Sequence, residues 1–179
     1  MRSILALLIM AMATGETMGY EAAFDRTEPG QAEIKVLPAG RLLEASGDGS
    51  YFSQSGSLFR PLFRYIQSHG ISMTVPVEAR IEPGTMYFWV APDQVDKAAE
   101  DAGGVRVIDL PERLVAAFGA RGSYSEKNFE KAREDLLEWL SQREDVEITG
   151  EPYAVYWHGP FTPWLMKKFE VQVAVRIIE

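Results

Sequence analysis

The sequence predicts a single α+β domain in which eight strands form a distorted barrel and two helices cover part of it. The composition supports a folded globular protein, with 46% apolar and 25% charged residues. Alternating apolar segments, typical of strands, flank two segments with helical spacing. The order strand, strand, helix, strand, strand occurs twice, at an interval of roughly 70–75 residues. This repetition predicts two β-β-α-β-β units packed about a pseudo-two-fold axis.

The first repeat ends near Ala91. Its predicted elements are strands over Glu33–Pro38 and Arg41–Ser46, a helix with Leu58, Phe59, Leu62, Phe63 and Ile66 at helical spacing, and strands over Ser72–Ile81 and Met86–Ala91. The Pro-Ala-Gly turn between the first two strands predicts a hairpin-like pair. The polar, glycine-rich stretch Gly47–Gly56 is predicted to be a loop. Pro61 then falls in the first helical turn, which Ser55 or Ser57 caps, and Gly70 ends the helix.

The second repeat has the same order of elements. They are strands over Val105–Leu110 and Arg113–Ala120, a helix over Ser125–Arg143, and strands over Val155–Trp157 and Glu170–Ile177. Ser123 and Glu126 have the spacing of a capping box at the start of the helix. One face of this helix is apolar and the other is charged, so we expect the charged face to be solvated.

Residues 1–19 are predicted to be a secretory signal peptide that precedes a domain over 20–179. Arg2 is followed by the apolar run Ile4–Ala13 and by small residues at Gly15 and Gly19. A membrane-spanning helix needs about 20 apolar residues, and this run has roughly half as many. The alternatives are an uncleaved anchor and an ordinary N-terminal helix. We expect cleavage after Ala13, Gly15 or Gly19, export to the periplasm or beyond, and no stable membrane insertion afterwards.

Charge and residue usage exclude several classes of function. The chain has 18 basic and 26 acidic residues and a net charge of −8, so it lacks the basic surface that nucleic-acid binding needs. Anionic membrane surfaces are disfavoured for the same reason. The absence of cysteine excludes disulfides, thiolate metal sites and thiol nucleophiles. With only two histidines, one chain cannot build a three-histidine metal site.

Three stretches resemble the SOUL haem-binding protein family. The first is Leu62–Ile66 followed by Ile71–Val77, similar to the family's helix ending in Tyr-Ile and its Met-Thr-x-Pro-Val strand. The second is the aromatic strand Tyr87–Pro92, and the third is Tyr153–Val175 with its Pro-Trp pair. The chain departs from the family's pattern in a short link before Met-Thr and in Lys-Phe-Glu where Arg-Asn-Glu is usual. The resemblance implies a duplicated barrel shared with gyrase-inhibitor-like ligand-binding domains.

The resemblance also implies a haem site, which needs apolar surface for the macrocycle, cations for the propionates and, optionally, an axial ligand. The candidates are apolar Phe63, Met73, Phe161, Trp164 and Met166, cationic Arg60, Arg64, Lys167 and Lys168, and the possible iron ligands His69 and His158. Each has a simpler alternative role in core packing, surface charge or, for His69, capping of a helix C-terminus. The apolar Phe161–Met166 loop either plugs the barrel or rims a groove.

We therefore expect non-catalytic binding of haem or a related tetrapyrrole, or of another hydrophobic small molecule, in an apolar groove of a monomer. The sequence has no nucleophile elbow and no glycine-rich phosphate loop. One alternative is a hydrolase of small hydrophobic molecules that uses a buried glutamate and a tyrosine, with Glu78 and Glu170 as the candidate carboxylates. Another is a protein-interaction module that docks through the Phe161–Met166 loop.

Overall fold

A computed structural model of the chain describes residues 20–159 and 161–178, so the predicted signal peptide lies outside the described residues. The fold contains two long helices, α1 and α2, and eleven strands. In chain order the elements are β1 Glu21–Ala22, β2 Ala32–Leu37, β3 Gly40–Ser46, α1 Tyr51–Ser68, β4 Thr74–Val75, β5 Val77–Arg80, β6 Thr85–Trp89, β7 Arg106–Leu110, β8 Arg113–Arg121, α2 Glu126–Ser141, β9 Val146–Ile148, β10 Tyr153–Tyr156 and β11 Lys168–Ile177. Short 3₁₀ turns cover Pro92–Lys97 and Trp164–Met166.

The strand order confirms the predicted α+β class and the duplicated architecture. Eight antiparallel strands follow the order β2-β8-β11-β10-β5-β6-β3-β7, and β9 pairs with β11 outside this path. The order reads symmetrically about the β10–β5 pair, with β2 corresponding to β7, β8 to β3 and β11 to β6. A pseudo-two-fold axis therefore passes between β5 and β10 and relates the two β-β-α-β-β units.

The predicted pairing of the first two strands is wrong. β2 pairs with β8 of the second repeat, and β3 pairs with β6 and β7. Each repeat thus contributes its first strand to the edge of the other repeat's half-sheet. The local turn specifies where the chain bends, whereas the neighbour of each strand is chosen by burial of its side chains. Leu37 on β2 and Leu42 on β3 both become fully buried in these exchanged positions.

Helix α1 starts earlier than predicted, whereas α2 starts next to Ser125 as predicted but with a different N-cap from the predicted Ser123. Helix α1 begins at Tyr51 with Ser50 as N-cap, inside the predicted loop, so that Pro61 lies in the helix interior. The buried Tyr51 anchors the early turns, and its amide donates to the carbonyl of Ile81 at 3.0 Å. Tertiary contacts therefore outweigh the local cost of Gly56 and Pro61. The N-cap of α2 is Ser125, whose side chain accepts from the amide of Asn128, and not Ser123.

The two faces of the sheet have different environments. One face packs against α1 and α2 and forms the main core, in which Leu43, Leu62, Phe88, Leu136 and Val171 are buried. The opposite face carries two smaller clusters, one around Trp89 and the other around Trp157. Within the described residues, no helix is long and apolar enough to cross a membrane.

Candidate ligand-binding site

The sheet face opposite the helices forms a cleft lined by aromatic and ionisable side chains. Side chains alternate between the two faces of a strand, so this face receives every second residue of the central strands. The cleft, as the term is used below, comprises Glu78, Tyr87, Trp89, Arg113, Tyr153, Trp157, Glu170 and Gln172. Two glutamates in a largely buried aromatic environment need compensation, because an unpaired buried charge is strongly unfavourable.

Glu78 on β5 is paired with Arg113 on β8. The Arg113 Nη2 atom lies 2.8 and 2.9 Å from the two carboxylate oxygens, and Trp89 Nε1 donates to Oε1 at 2.9 Å. Burial raises the pKa of Glu78, while the guanidinium of Arg113 and the indole N–H act in the opposite direction. The ion pair joins the two repeats, because β5 and β8 belong to different half-sheets.

Glu170 on β11 is fully buried and accepts hydrogen bonds from four neighbouring residues. Oε1 accepts from the Thr27 amide at 2.8 Å and from Trp157 Nε1 at 2.9 Å. Oε2 accepts from Lys35 Nζ at 2.9 Å and from Gln172 Nε2 at 2.7 Å. This carboxylate therefore connects the closing strand to the N-terminal part of the chain, which supplies both Thr27 and Lys35.

The chain's own N-terminal segment occupies the cleft. We call residues 21–30 the strap. Its strand β1 pairs in parallel with β4, and the Ala23 amide donates to the Val75 carbonyl at 2.8 Å. The Phe24 ring lies edge-on between Trp89 and Trp157, with centroid distances of 5.6 and 5.4 Å. Two cavities of about 370 and 300 Å³ lie beside the strap, and both are lined in part by strap residues.

Three of the predicted site residues lie together on α1. Arg60 and Arg64 are exposed, one helical turn apart, and neither forms an ion pair with any residue in the described part of the chain. Phe63 is 39% exposed and stacks on Phe59 at 5.5 Å. Arg60 Nε donates to the Gly56 carbonyl at 3.3 Å. The outer face of α1 therefore presents an aromatic pair beside two exposed guanidinium groups whose charge is not compensated by any carboxylate of the described residues.

The predicted loop residues form a separate exposed patch. Phe161, Trp164 and Met166 are 98%, 62% and 62% exposed, so the loop does not plug the barrel. Lys167 lies over the Tyr124 ring at 4.9 Å, and Lys168 forms an ion pair with Glu28. Over residues 20–159 and 161–178, no hydrogen bond, ion pair or ring contact joins this loop to the predicted site residues on α1. Met73 lies in neither patch, because it is half-buried against the main core.

The two histidines differ in which ring nitrogen remains available. His158 Nδ1 accepts from the Lys168 amide at 3.0 Å, which leaves the proton of the neutral ring on Nε2. His69 Nδ1 lies 2.9 Å from the Tyr65 carbonyl, an acceptor, so Nδ1 carries the proton and Nε2 keeps its lone pair. A metal-bound imidazole has this second arrangement. His69 therefore has the better prepared ring nitrogen of the two, but its ring stacks on the buried Tyr65, and among the described residues no hydrogen bond or ring contact joins it to Arg60, Phe63 or Arg64.

The environment of His158 predicts a loss of stability on mild acidification. Burial lowers the pKa of His158 below its usual value. The unfolded chain therefore binds a proton at a pH where the folded chain does not, and stability falls as the pH drops from about 6.5 through the lowered folded-state pKa. We expect His158→Asn, which retains an acceptor for the Lys168 amide, to reduce the difference in melting temperature between pH 7.5 and pH 5. His69→Asn is the matched control, and an equal reduction in that variant would contradict the assignment.

Among the described residues there is no cluster of three or more histidine, cysteine, aspartate or glutamate side chains that could hold a metal ion. Haem can be held through its propionates and the apolar face of its ring, so the α1 face with Arg60, Arg64 and Phe63 fits the needs of that group without an axial ligand.

Comparison with known proteins decides the family. The sequence profile described as "SOUL heme-binding protein" matches residues 16–174, which is most of the chain. The chain belongs to the SOUL haem-binding protein family. This confirms the resemblance predicted from the Met-Thr-x-Pro-Val segment and the two aromatic stretches. SOUL proteins are a binding family, so membership supports a ligand-binding role. No sequence match was found among curated proteins.

Solved structures share the SOUL fold seen here at low sequence identity. The C-terminal domain of EcmrR is 16% identical, with a TM-score of 0.66 over 83% of this chain and 98% of that one. A hydrolase from Listeria innocua is 13% identical, with a TM-score of 0.57 over 84% and 94% of the two chains. SAV2435 bound to tetraphenylphosphonium is 12% identical, with a TM-score of 0.51 over 82% and 94%. These similarities establish the fold alone.

Sequence reasoning identified Glu78 and Glu170 as inward-facing carboxylates but missed their partners. Lys35 and Arg113 lie far along the chain from the glutamates they neutralise, so no local motif links them. The strap was missed entirely. Phe24 is the sole aromatic residue in the otherwise polar or small-residue stretch 21–31, and this isolated ring was the available signal.

Proposed function

We propose that this SOUL protein binds haem or a related tetrapyrrole without catalysing a reaction, and that the outer face of α1 is the binding surface. The observation that carries the proposal is the pair of exposed guanidinium groups, Arg60 and Arg64, which form no ion pair within the described residues and lie beside the partly exposed Phe63. We further propose that the protein acts outside the cytoplasm, with residues 1–19 as the signal peptide. The apolar run of that segment supports export.

The chemistry of this surface matches an anionic macrocycle. Residues four apart on a helix have Cβ atoms about 5–6 Å apart, so Arg60 and Arg64 can engage neighbouring carboxylates. Arginine holds a carboxylate with two parallel hydrogen bonds. The Phe59–Phe63 pair supplies the apolar contact for the ring. The net charge of −8 repels an anion over the whole surface, so local cations must supply the attraction. When bound, haem would supply an iron centre, and this surface would hold the macrocycle through Arg60, Arg64 and the Phe59–Phe63 pair without an axial ligand from His69.

A haemin titration of the chain from Tyr20 onward, followed at the Soret band, tests this site. We expect Arg60→Ala/Arg64→Ala to weaken binding at least about ten-fold, because a hydrogen bond to a charged group contributes about 1.5–3 kcal/mol. Lys127→Ala/Lys131→Ala is the matched control, since it removes two positive charges from α2. Equal weakening in both variants would show that net charge, and not the Arg60–Arg64 site, accounts for the effect. If the Soret band of haemin shows no saturable shift with the unmodified chain, haem is excluded as the ligand.

A hydrolase in the cleft is a second candidate, supported by the placement of Glu78 and Glu170 beside Tyr87 and Tyr153. The contacts disfavour it, because both carboxylates are engaged by a cation and by an indole N–H. Burial also raises the pKa of Tyr87 to about 12, so its phenol stays protonated at neutral pH. Ester turnover that disappears in Glu78→Gln, with the fold intact, would establish this alternative.

An interaction module is supported by the exposed Phe161–Met166 loop. An apolar loop of this kind is typical of a docking surface. A partner complex that is lost in Trp164→Ser, while haemin binding is unchanged, would establish this role beside the proposed one.

A further inference from the structure

The strap contacts the cleft in the manner of a bound peptide. Peptide recognition by strand addition combines main-chain hydrogen bonds with a pocket for a side chain. Here β1 adds to β4, and the Ala23 amide donates to the Val75 carbonyl. Phe24 fills the slot between the two tryptophans, and three residues later Thr27 donates its amide to Glu170. The recognised pattern is therefore an extended Phe-x-x-Thr segment.

The outer part of the strap is held by few contacts. Strand β1 is two residues long, and both of its residues are exposed. Phe24 is only half-buried, although the two tryptophan rings on either side of it are almost completely buried. Gly30 has a φ of 82°, a conformation that favours glycine, and its amide is fixed to the Gly119 carbonyl at 2.8 Å. Movement of the strap out of the cleft, with Gly30 as the pivot, would unpair no strand of the eight-stranded sheet. It would break the β1–β4 pair, the contacts of Phe24 and the hydrogen bonds of the buried Thr27 with Glu170, Glu33 and Lys35, all of which an exchanged strap forms again.

We propose that the cleft is a peptide-binding groove whose resident ligand is the strap, and that it accepts the same segment from a second copy of the chain. The second copy is the occupant that the structure supports, because its strap is identical and reproduces every contact made by the resident one. In such an exchange, the contacts that the strap makes within one chain are replaced by the same contacts between two chains, so dimer formation costs little free energy. The groove lies on the sheet face opposite α1. The peptide-binding proposal is therefore tested independently of the haem-binding proposal.

A labelled peptide in trans tests the groove. A fluorescein-labelled peptide spanning Tyr20–Gln31 is titrated by anisotropy with the chain from Tyr20 onward and with its Phe24→Ala variant. The resident strap competes with the peptide, so weakening the strap raises the fraction of open groove and the apparent affinity. We expect the Phe24→Ala chain to bind the peptide at least about ten-fold more tightly than the unmodified chain. Phe161→Ala, which removes an exposed phenylalanine elsewhere, is the matched control and should leave the affinity unchanged.

A cysteine pair supplies a test that does not depend on the Phe24→Ala chain folding. Ala22 and Val75 are register partners, and the chain has no cysteine of its own, so Ala22→Cys/Val75→Cys can form a single disulfide. We expect the oxidised chain, with its strap fixed in the groove, to bind no peptide, and the reduced chain to bind it. Equal binding by the two forms, or equal binding of a Phe24→Ala peptide, would overturn the proposal.

The same variant tests the second copy as occupant. When the chain is oxidised at low concentration, so that each strap is fixed in its own groove, sedimentation at increasing concentration should show a dimer of the reduced chain that is absent from the oxidised chain. Peptide binding without any such dimer would overturn exchange between copies and leave a Phe-x-x-Thr segment of another protein as the occupant.

Discussion

Glu170→Gln is expected to lower the free energy of unfolding by about 3–5 kcal/mol, because it removes one partner of a buried ion pair. The Lys35 side chain is only 14% exposed, and its ammonium group would lose the carboxylate that lies 2.9 Å away. The new amide group also brings two donors to a site where Thr27, Trp157 and Gln172 already donate. For a domain of this size, the melting temperature should fall by about 6–20 °C.

Two further variants distinguish the effect of the lost ion pair from the effect of the altered side chain at Glu170. Lys35→Met in the Glu170→Gln background should recover a large part of the lost stability, because the uncompensated cation is then absent. Glu147→Gln is the matched control. It makes the same change in the exposed pair with Arg176, and we expect it to cost less than about 1 kcal/mol. Urea unfolding of the four chains measures the differences. A loss in Glu170→Gln no larger than in Glu147→Gln would show that the buried pair is not important for stability.

Gly119→Ala is expected to displace the strap and to destabilise the protein by about 2–3 kcal/mol, in the range of overpacked sites. A Cβ at this position would lie 2.5 Å from the Thr27 carbonyl oxygen and would also collide with the Glu28 backbone. Both obstacles are backbone atoms, so no side-chain rotation can relieve the clash. The strap must move away from β8, which breaks the bond from Gly30 to Gly119 and disturbs the contact of Thr27 with Glu170.

Limited trypsin digestion measures this displacement directly. Arg26 lies inside the strap, and we expect cleavage after it to be at least about ten-fold faster in Gly119→Ala, because the open population increases. Gly150→Ala is the matched control, since a Cβ there would meet only Ala174 Cβ at 3.4 Å. Unchanged cleavage at Arg26, together with unchanged stability, would show that the close approach of strap and β8 is readily relaxed.

The extent of prediction from sequence differs between elements. The strands around Leu43 and Phe88 and the helix around Leu136 were predicted because each has a regular apolar period, which depends only on the residues themselves. The start of α1 was predicted too late, because Gly56 and Pro61 oppose a helix locally while Tyr51 and Leu58 stabilise it only through the core. The pairing of β2 with β3 was predicted wrongly because a turn sequence does not specify which distant strand becomes the neighbour.

The candidate site shows the same division. The exposure of Phe161–Met166, the separation of that loop from Arg60, Phe63 and Arg64, and the different nitrogens left available on His69 and His158 all depend on three-dimensional contacts. The ion pairs Lys35–Glu170 and Arg113–Glu78 join residues that lie 135 and 35 positions apart. The chemistry of the side chains indicated which residues were candidate site residues, but it did not indicate which of them contact one another in the folded chain.

The sequence by itself determined the α+β class, the two β-β-α-β-β repeats and the SOUL family. These follow from short-range periodicity and from motifs that are contiguous in the chain. Only the tertiary structure decided that the repeats exchange their first strands, that α1 continues through Pro61 and that the strap fills the cleft. Each of those outcomes is set by burial and charge compensation between distant residues, and those energies arise only when the chain is folded.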